Sequence, residues 1–341
     1  MSARGNLASR RAAALLAGAL LLAPGLLSAQ SSRYSGDGPR RGHLIGTVPY
    51  ERVLQRNYCG PACLAMVLNS WDGARPVSQQ AIADQVYDPR IEGAYGSDLV
   101  WSPLERGFQS YSFRGNLPLL KDLVRRDIPV IVLTKSSGNK AKGHYLVVVG
   151  FDDEKGLIIF HDPYFGERRV MTVREFTKDW GLGKGADQSR WMMAAVPQGR
   201  PFPLPYLLND PMTALNLAVA YLRRGDFEKS RREWEKVRRS LGADPCPAYG
   251  LAIISLKEGK FEEAESHALE AIGLDSKNVE ARDALGLAYA AQGKLAEALD
   301  ALGQAVRLAP REPAIRDHYL RVLERARADA PPGRRNSDEN R

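Results

Sequence analysis

The chain has 341 residues, 44% apolar and 26% charged, with a formal charge of +8, a length that suits about two domains. Arg4, Arg10 and Arg11 supply three of those charges, and no stripe of lysines and arginines interleaved with aromatics follows them, which speaks against nucleic acid as a partner. Three cysteines are too few for a disulfide framework, and nothing after the first 30 residues is apolar for long enough to cross a bilayer.

Residues 1–29 read as a secretory signal: the three arginines precede an apolar run, Ala12 to Leu22, and Leu27-Ser28-Ala29 resembles a cleavage site. The alternative is a retained membrane anchor; with cleavage, no stable membrane insertion is expected. Residues 30–42, rich in Ser, Gly and Arg, read as a flexible lead-in. A compact segment, 43–200, follows. Helical spacing of apolar residues predicts helices over Tyr58–Asn69, Ser78–Val86 (capped by Ser78) and Pro118–Arg126, the last with Leu119, Leu120, Leu123 and Val124 inward. Short β-branched runs predict strands at Pro129–Thr134, Tyr145–Phe151, Leu157–Phe160 and Trp191–Val196, with a turn around Gly138 and a short helix within Val170–Trp180. Helices first and sheet second predict an α+β domain.

Past Pro201-Phe202-Pro203-Leu204-Pro205 the pattern becomes repetitive. Gly225, Gly259 and Gly293 lie 34 residues apart, and Leu217, Leu251 and Leu285 keep the same interval. So do Ala218, Ala252 and Gly286; Phe227, Phe261 and Leu295; Ser230, Ala264 and Ala298; and Val237, Ala271 and Ala305. Small residues let two helices approach closely, larger ones fill the gap between helix pairs, and glycine permits the turn. The period and these positions resemble the tetratricopeptide repeat (TPR). Three repeats plus a capping helix are expected over 210–326, an all-α solenoid whose groove takes a protein partner, with a disordered tail at 327–341.

Cys59, in Asn57-Tyr58-Cys59-Gly60-Pro61, stands where a loop turns into a helix. Unpaired N–H groups and the dipole at a helix start favour an anion there, so a thiolate is stabilised. Gly60 removes bulk beside the sulfur, and Pro61 suits the first helical turn. Cys63 is on the same face one turn on and reads as a buried packing residue; pairing with Cys59 on oxidation, or a metal site from the two with a histidine, are the weaker alternatives. His144, just ahead of the Tyr145 strand, is the candidate base. Asp162, after the next strand, is the candidate for orienting the imidazole, or else it caps the turn before Pro163. His161 competes as base, but its side chain points the other way if the strand continues. Gln55, four residues before Cys59, is a candidate oxyanion donor with the Cys59 N–H, or else a surface glutamine.

Tyr58-Cys59-Gly60-Pro61-Ala62-Cys63-Leu64-Ala65-Met66-Val67-Leu68, Gly143-His144-Tyr145-Leu146-Val147-Val148-Val149-Gly150 and Asp162-Pro163 resemble the peptidase C39 family and its C39-like relatives. These are papain-fold cysteine proteases best known for removing double-glycine leaders from bacteriocin precursors. The resemblance covers Val48 to about Val196. It implies Cys59 as nucleophile, His144 as base, Asp162 as orienting acid and Gln55 as oxyanion donor, although the family's glutamine commonly stands one or two residues farther from the cysteine. Leader-processing members usually carry membrane-spanning and ATP-binding transporter domains; here a repeat domain is fused instead, and no Gly-Lys-Ser or Gly-Lys-Thr phosphate loop is present. The expectation is an exported, more often periplasmic than extracellular, thiol endopeptidase acting on a peptide or protein substrate without metal or organic cofactor. The rivals are acyl transfer or amide hydrolysis on a non-protein substrate, and a TPR scaffold with little turnover.

Overall fold

The computed structural model describes residue 34 and residues 41–71, 75–135, 143–180, 190–208 and 210–329. The signal segment 1–29, most of the lead-in, the turn around Gly138 and residues 330–341 of the tail lie outside them. By contact the chain divides into two compact units at Ala220/Tyr221.

The first unit is an α+β domain. Its elements are β1 (Gly42–Leu44), α1 (Cys59–Leu68), α2 (Gln79–Val86), β2 (Tyr87–Asp88), β3 (Gly93–Ala94), α3 (Gly96–Trp101), β4 (Phe108–Arg114), α4 (Leu117–Arg125), β5 (Val130–Lys135), β6 (Gly143–Asp152), β7 (Leu157–Asp162), β8 (Gly166–Thr172), α5 (Val173–Asp179) and β9 (Trp191–Pro197). The main sheet runs β4-β9-β5-β6-β7-β8, with β1 paired to the far end of β6. Every pairing is antiparallel. Val130–Leu133 and Tyr145–Val149 are buried without alternation, because both faces of β5 and β6 are covered; that is why these strands read as unbroken β-branched runs.

Most expected elements are present, with informative differences. Ser78 caps α2 by accepting the Ala81 N–H, and α4 turns Leu119, Leu120, Leu123 and Val124 inward, both as the sequence implies. β4 is an addition: its residues Phe108, Ser110 and Ser112 face inward, and serines in an alternating pattern give little hydrophobic signal. The Val170–Trp180 segment begins as strand β8 and becomes helical only after Thr172, whose hydroxyl forms a capping box with Glu175. Tyr34, from the segment read as flexible, is buried; its N–H donates to the Arg168 carbonyl at 2.7 Å and its hydroxyl to Asp152 at 3.2 Å.

Helix α1 is buried on every side, from Cys59 to Leu68. It packs on β5, β6 and β9 and on α2, α3 and β3. A helix apolar all round belongs in the middle of a core, and this burial fixes the position of its first residue, Cys59.

The helices that follow are α6 (Pro211–Arg224), α7 (Phe227–Leu241), α8 (Pro245–Glu258), α9 (Phe261–Leu274), α10 (Val279–Ala291), α11 (Leu295–Leu308) and α12 (Pro313–Asp329). Most of α6, up to Ala220, belongs by contact to the first unit. There Thr213 accepts the Ser112 N–H at 2.9 Å and donates to its carbonyl at 3.1 Å, and Asn216 donates to the Ser112 hydroxyl at 3.1 Å. In the second unit Gly225, Gly259 and Gly293 all take left-handed φ angles of 76–80° at the turns between paired helices, which gives the 34-residue glycine period its cause. α12 extends to Asp329, so the helix runs three residues into the stretch read as tail. Among the described residues no helix is long and apolar enough to cross a membrane.

Candidate active site

The loop before α1 is held at several points. Gln79, buried at the start of α2, inserts its amide: its oxygen accepts the Leu54 N–H at 2.8 Å and its nitrogen donates to the Arg52 carbonyl at 3.1 Å. Val53 N–H donates to the Pro163 carbonyl at 3.0 Å. Asn57 has a left-handed φ of 70°, a region that asparagine tolerates better than most residues, and its N–H donates to the Tyr164 hydroxyl at 2.7 Å. Tyr58 then stands at the N-cap with no side-chain cap bond, and Cys59 is the first helical residue.

Gly60 lets the start of α1 pack tightly. A Cβ there would lie 3.2–3.3 Å from Ala94, Leu99 and Tyr145 side chains, so the start of α1 lies closely against β3, α3 and β6. Among residues away in sequence, the bulk that glycine avoids is that of the surrounding core.

His144 is the second residue of β6, paired opposite Thr134, and Asp162 is the last residue of β7. Adjacent antiparallel strands, registered at Val147↔His161, bring the two together: His144 Nε2 lies 3.1 Å from Asp162 Oδ1. Their side chains are 12% and 8% exposed. With Nε2 engaged by the carboxylate, Nδ1 is the nitrogen left for the sulfur, and Cys59 is a hydrogen-bond partner of His144. Burial opposes charge on this imidazole, but the Asp162 carboxylate and Cys59 outweigh it and hold His144 up to about 10. Burial also works against the charge on Asp162; His144 and the N–H groups of Tyr164 and Phe165, at 2.9 and 3.2 Å, nevertheless keep its carboxyl below the usual range. Asp162 therefore both caps the turn and holds the imidazole.

The other sequence candidates separate clearly. Cys63 is wholly buried and free; burial, with the nearby Cys59 and Asp162 charges, pushes its thiol well up, so it packs as a neutral residue. His161 points away from Asp162. Its Nδ1 accepts the Arg168 N–H at 3.1 Å, its Nε2 donates to the Val48 carbonyl at 3.2 Å, and burial pulls it down to about 4. Both nitrogens are spent inside the domain, so His161 is no rival to His144. Gln55 is exposed, and its carbonyl accepts the Tyr58 N–H at 3.3 Å. Among the described residues no cluster of three or more His, Cys, Asp or Glu could hold a metal ion.

Tyr164 and Asn57 had no assigned part in the sequence reading. The Tyr164 ring lies 5.5 Å from that of His144, while its hydroxyl meets the nucleophile loop. Tyr50 adds a bond from its hydroxyl to the Asp162 carbonyl at 3.2 Å. The available signals were an asparagine two residues before the cysteine and a tyrosine directly after Asp162-Pro163. Cys59 itself is only 1% exposed, so a carbonyl reaches its sulfur by close fit or by displacing its cover. The flanking loops carry the exposed side chains Leu54, Gln55, Arg56 and Phe165.

Residues 45–187 match the Peptidase_C39 like family, and residues 211–236 and 279–312 match tetratricopeptide repeat families. No curated protein matches the chain. Among solved structures, the peptidase domain of Streptococcus ComA, a bi-functional ABC transporter involved in a quorum-sensing pathway, is 21% identical with a TM-score of 0.36, covering 44% of this chain and 100% of that one. The second TPR domain of human RPAP3, solved with an HSP70 peptide, is 24% identical with a TM-score of 0.31, covering 32% of this chain and 92% of that one. The Arabidopsis OM64 TPR domain is 21% identical with a TM-score of 0.30, covering 31% and 88%. The chain joins a domain that matches the Peptidase_C39 like family to a C-terminal run of tetratricopeptide repeats.

Proposed function

We propose that this protein is an exported thiol endopeptidase. The observation that carries the reading is the line of contacts from Cys59 through His144 to Asp162: a sulfur at a buried helix start, an imidazole held in the charged form, and a carboxylate fixed behind it. In the proposed reaction the Cys59 thiolate adds to a peptide carbonyl, and the Cys59 N–H and the Gln55 amide stabilise the oxyanion. The tetrahedral adduct collapses, the C–N bond breaks, and the His144 proton goes to the departing amine. Water then gives a proton to His144 as it attacks the thioester, and the carboxylic acid product leaves with the thiolate restored.

The repeats recruit the substrate or a protein partner in this reading, since stacked helix pairs present a long surface and TPR domains commonly bind peptides. Export rests on Arg4, Arg10 and Arg11 ahead of the Ala12–Leu22 run, with the periplasm as the expected site.

The test is a comparison of exported peptides from cells carrying wild type or Cys59→Ala. At least one cleavage product is expected to vanish in the variant and to return with the wild-type chain. Identical peptide sets, with the wild-type protein present and folded, would refute the peptidase reading.

A further inference from the structure

Tyr164 occupies an unusual place between the two halves of the site. Its backbone is tied to Asp162, whose Oδ1 accepts the Tyr164 N–H at 2.9 Å. Its ring packs tilted beside the His144 ring, with centroids 5.5 Å apart and planes inclined by 51°. Its hydroxyl oxygen accepts the Asn57 N–H at 2.7 Å, two residues before the nucleophile. One residue thus meets the base with its ring, the orienting acid with its backbone N–H, and the loop that delivers the sulfur with its hydroxyl.

The Asn57 end is where such a tether matters. A left-handed φ of 70° is uncommon outside glycine, even though asparagine tolerates it better than most, and it persists when its surroundings hold it. Asn57 is 5% exposed and its own Oδ1 has no partner, so its side chain supplies no compensating bond through that oxygen. The bond from its N–H to Tyr164 at 2.7 Å is the shorter of two that hold this turn, the other running from the Tyr58 N–H to the Gln55 carbonyl at 3.3 Å, and the turn sets where α1 begins. Burial and the nearby Cys59 charge push the Tyr164 phenol up to about 12, so it remains a neutral hydroxyl through the working range.

We propose that Tyr164 is a positioning residue that sets nucleophile against base: its hydroxyl fixes the left-handed turn at Asn57 and its ring fixes the plane of the His144 imidazole. The inference rests on the peptidase reading of Cys59 and His144 and adds a determinant of their alignment. A misplacement of about 1 Å is enough to cost roughly a hundredfold in a reaction that depends on alignment.

The test is the rate of Cys59 alkylation by iodoacetamide in the full chain, read by mass spectrometry on the Cys59 peptide. Cys246, in no disulfide and half-buried in the repeats, is the internal reference. Tyr164→Phe keeps the ring and loses the tether; it is expected to slow Cys59 at least fivefold relative to Cys246 at neutral pH, with an unchanged far-ultraviolet spectrum. Asn57→Ala keeps the backbone N–H but disfavours the left-handed φ, so it strains the same turn and is expected to slow Cys59 as well. A Cys59 to Cys246 ratio in Tyr164→Phe equal to wild type would overturn the positioning role while leaving the nucleophile assigned. A wild-type Cys59 no more reactive than Cys246, and indifferent to His144→Ala, would overturn the peptidase reading together with the inference.

Discussion

Cys59→Ala is expected to reduce peptide hydrolysis to the solvent background, a loss of at least about 10⁴-fold in kcat. The size of the effect follows from the reaction path: without the sulfur no acyl-enzyme forms, and no other described nucleophile has the histidine as partner. Cys63, four residues on, cannot replace it, since it is wholly buried and its thiol is held neutral. The fold should tolerate the change, because truncating one buried sulfur costs on the order of 1 kcal/mol, far less than a domain's stability. The check is turnover of a substrate found by the exported-peptide comparison, with the unfolding midpoint measured on the same samples. Cys63→Ala provides the contrast, with stability lowered and the reacting groups left in place.

Asp162→Asn is expected to lower kcat about 10²- to 10⁴-fold and to move the alkaline limb of the pH profile. Asparagine keeps an oxygen for the Tyr164 and Phe165 N–H groups, so the turn after β7 survives. What is lost is the negative charge 3.1 Å from His144 Nε2. The sign follows from the forces on the imidazole. Burial disfavours its charge, and Asp162 is the largest of the opposing influences that hold it at about 10. With the carboxylate gone, burial prevails, the imidazole gives up its proton at lower pH, and less of the enzyme carries the acid needed by the leaving amine. In wild type kcat/KM should hold to about pH 9 and fall through about 10; in Asp162→Asn the fall should begin well below that. A variant that loses activity with its alkaline limb unmoved would assign Asp162 to the turn alone.

Much of this arrangement was legible in the chain because its signals are local. A cysteine followed by glycine and proline ahead of an apolar run marks α1 to within a residue, and β-branched runs mark β5, β6, β7 and β9 because those strands lie inside the sheet. The 34-residue interval marks the repeats because each needs a left-handed turn at the same place. The hidden parts depend on long-range pairing. Nothing in Phe108–Arg114 says that it pairs with β9, because its inward serines lack an apolar signature. His144 reads as flanking a strand, yet it lies within β6, since Gly143 and His144 continue the pairing to β5. The packing reason for Gly60 needs Ala94, Leu99 and Tyr145 in place, and the meeting of Asn57 with Tyr164 spans 107 residues. Neither can be read from spacing.

The most direct measurement is a proton and nitrogen NMR titration of the His144 ring in the intact protein, compared with Cys59→Ala. An imidazole gripped between Cys59 and Asp162 stays protonated through pH 9 and titrates near 10, and it titrates lower once the sulfur is removed. A ring that titrates near the ordinary value of about 6.5, and does so identically with and without Cys59, would contradict the account.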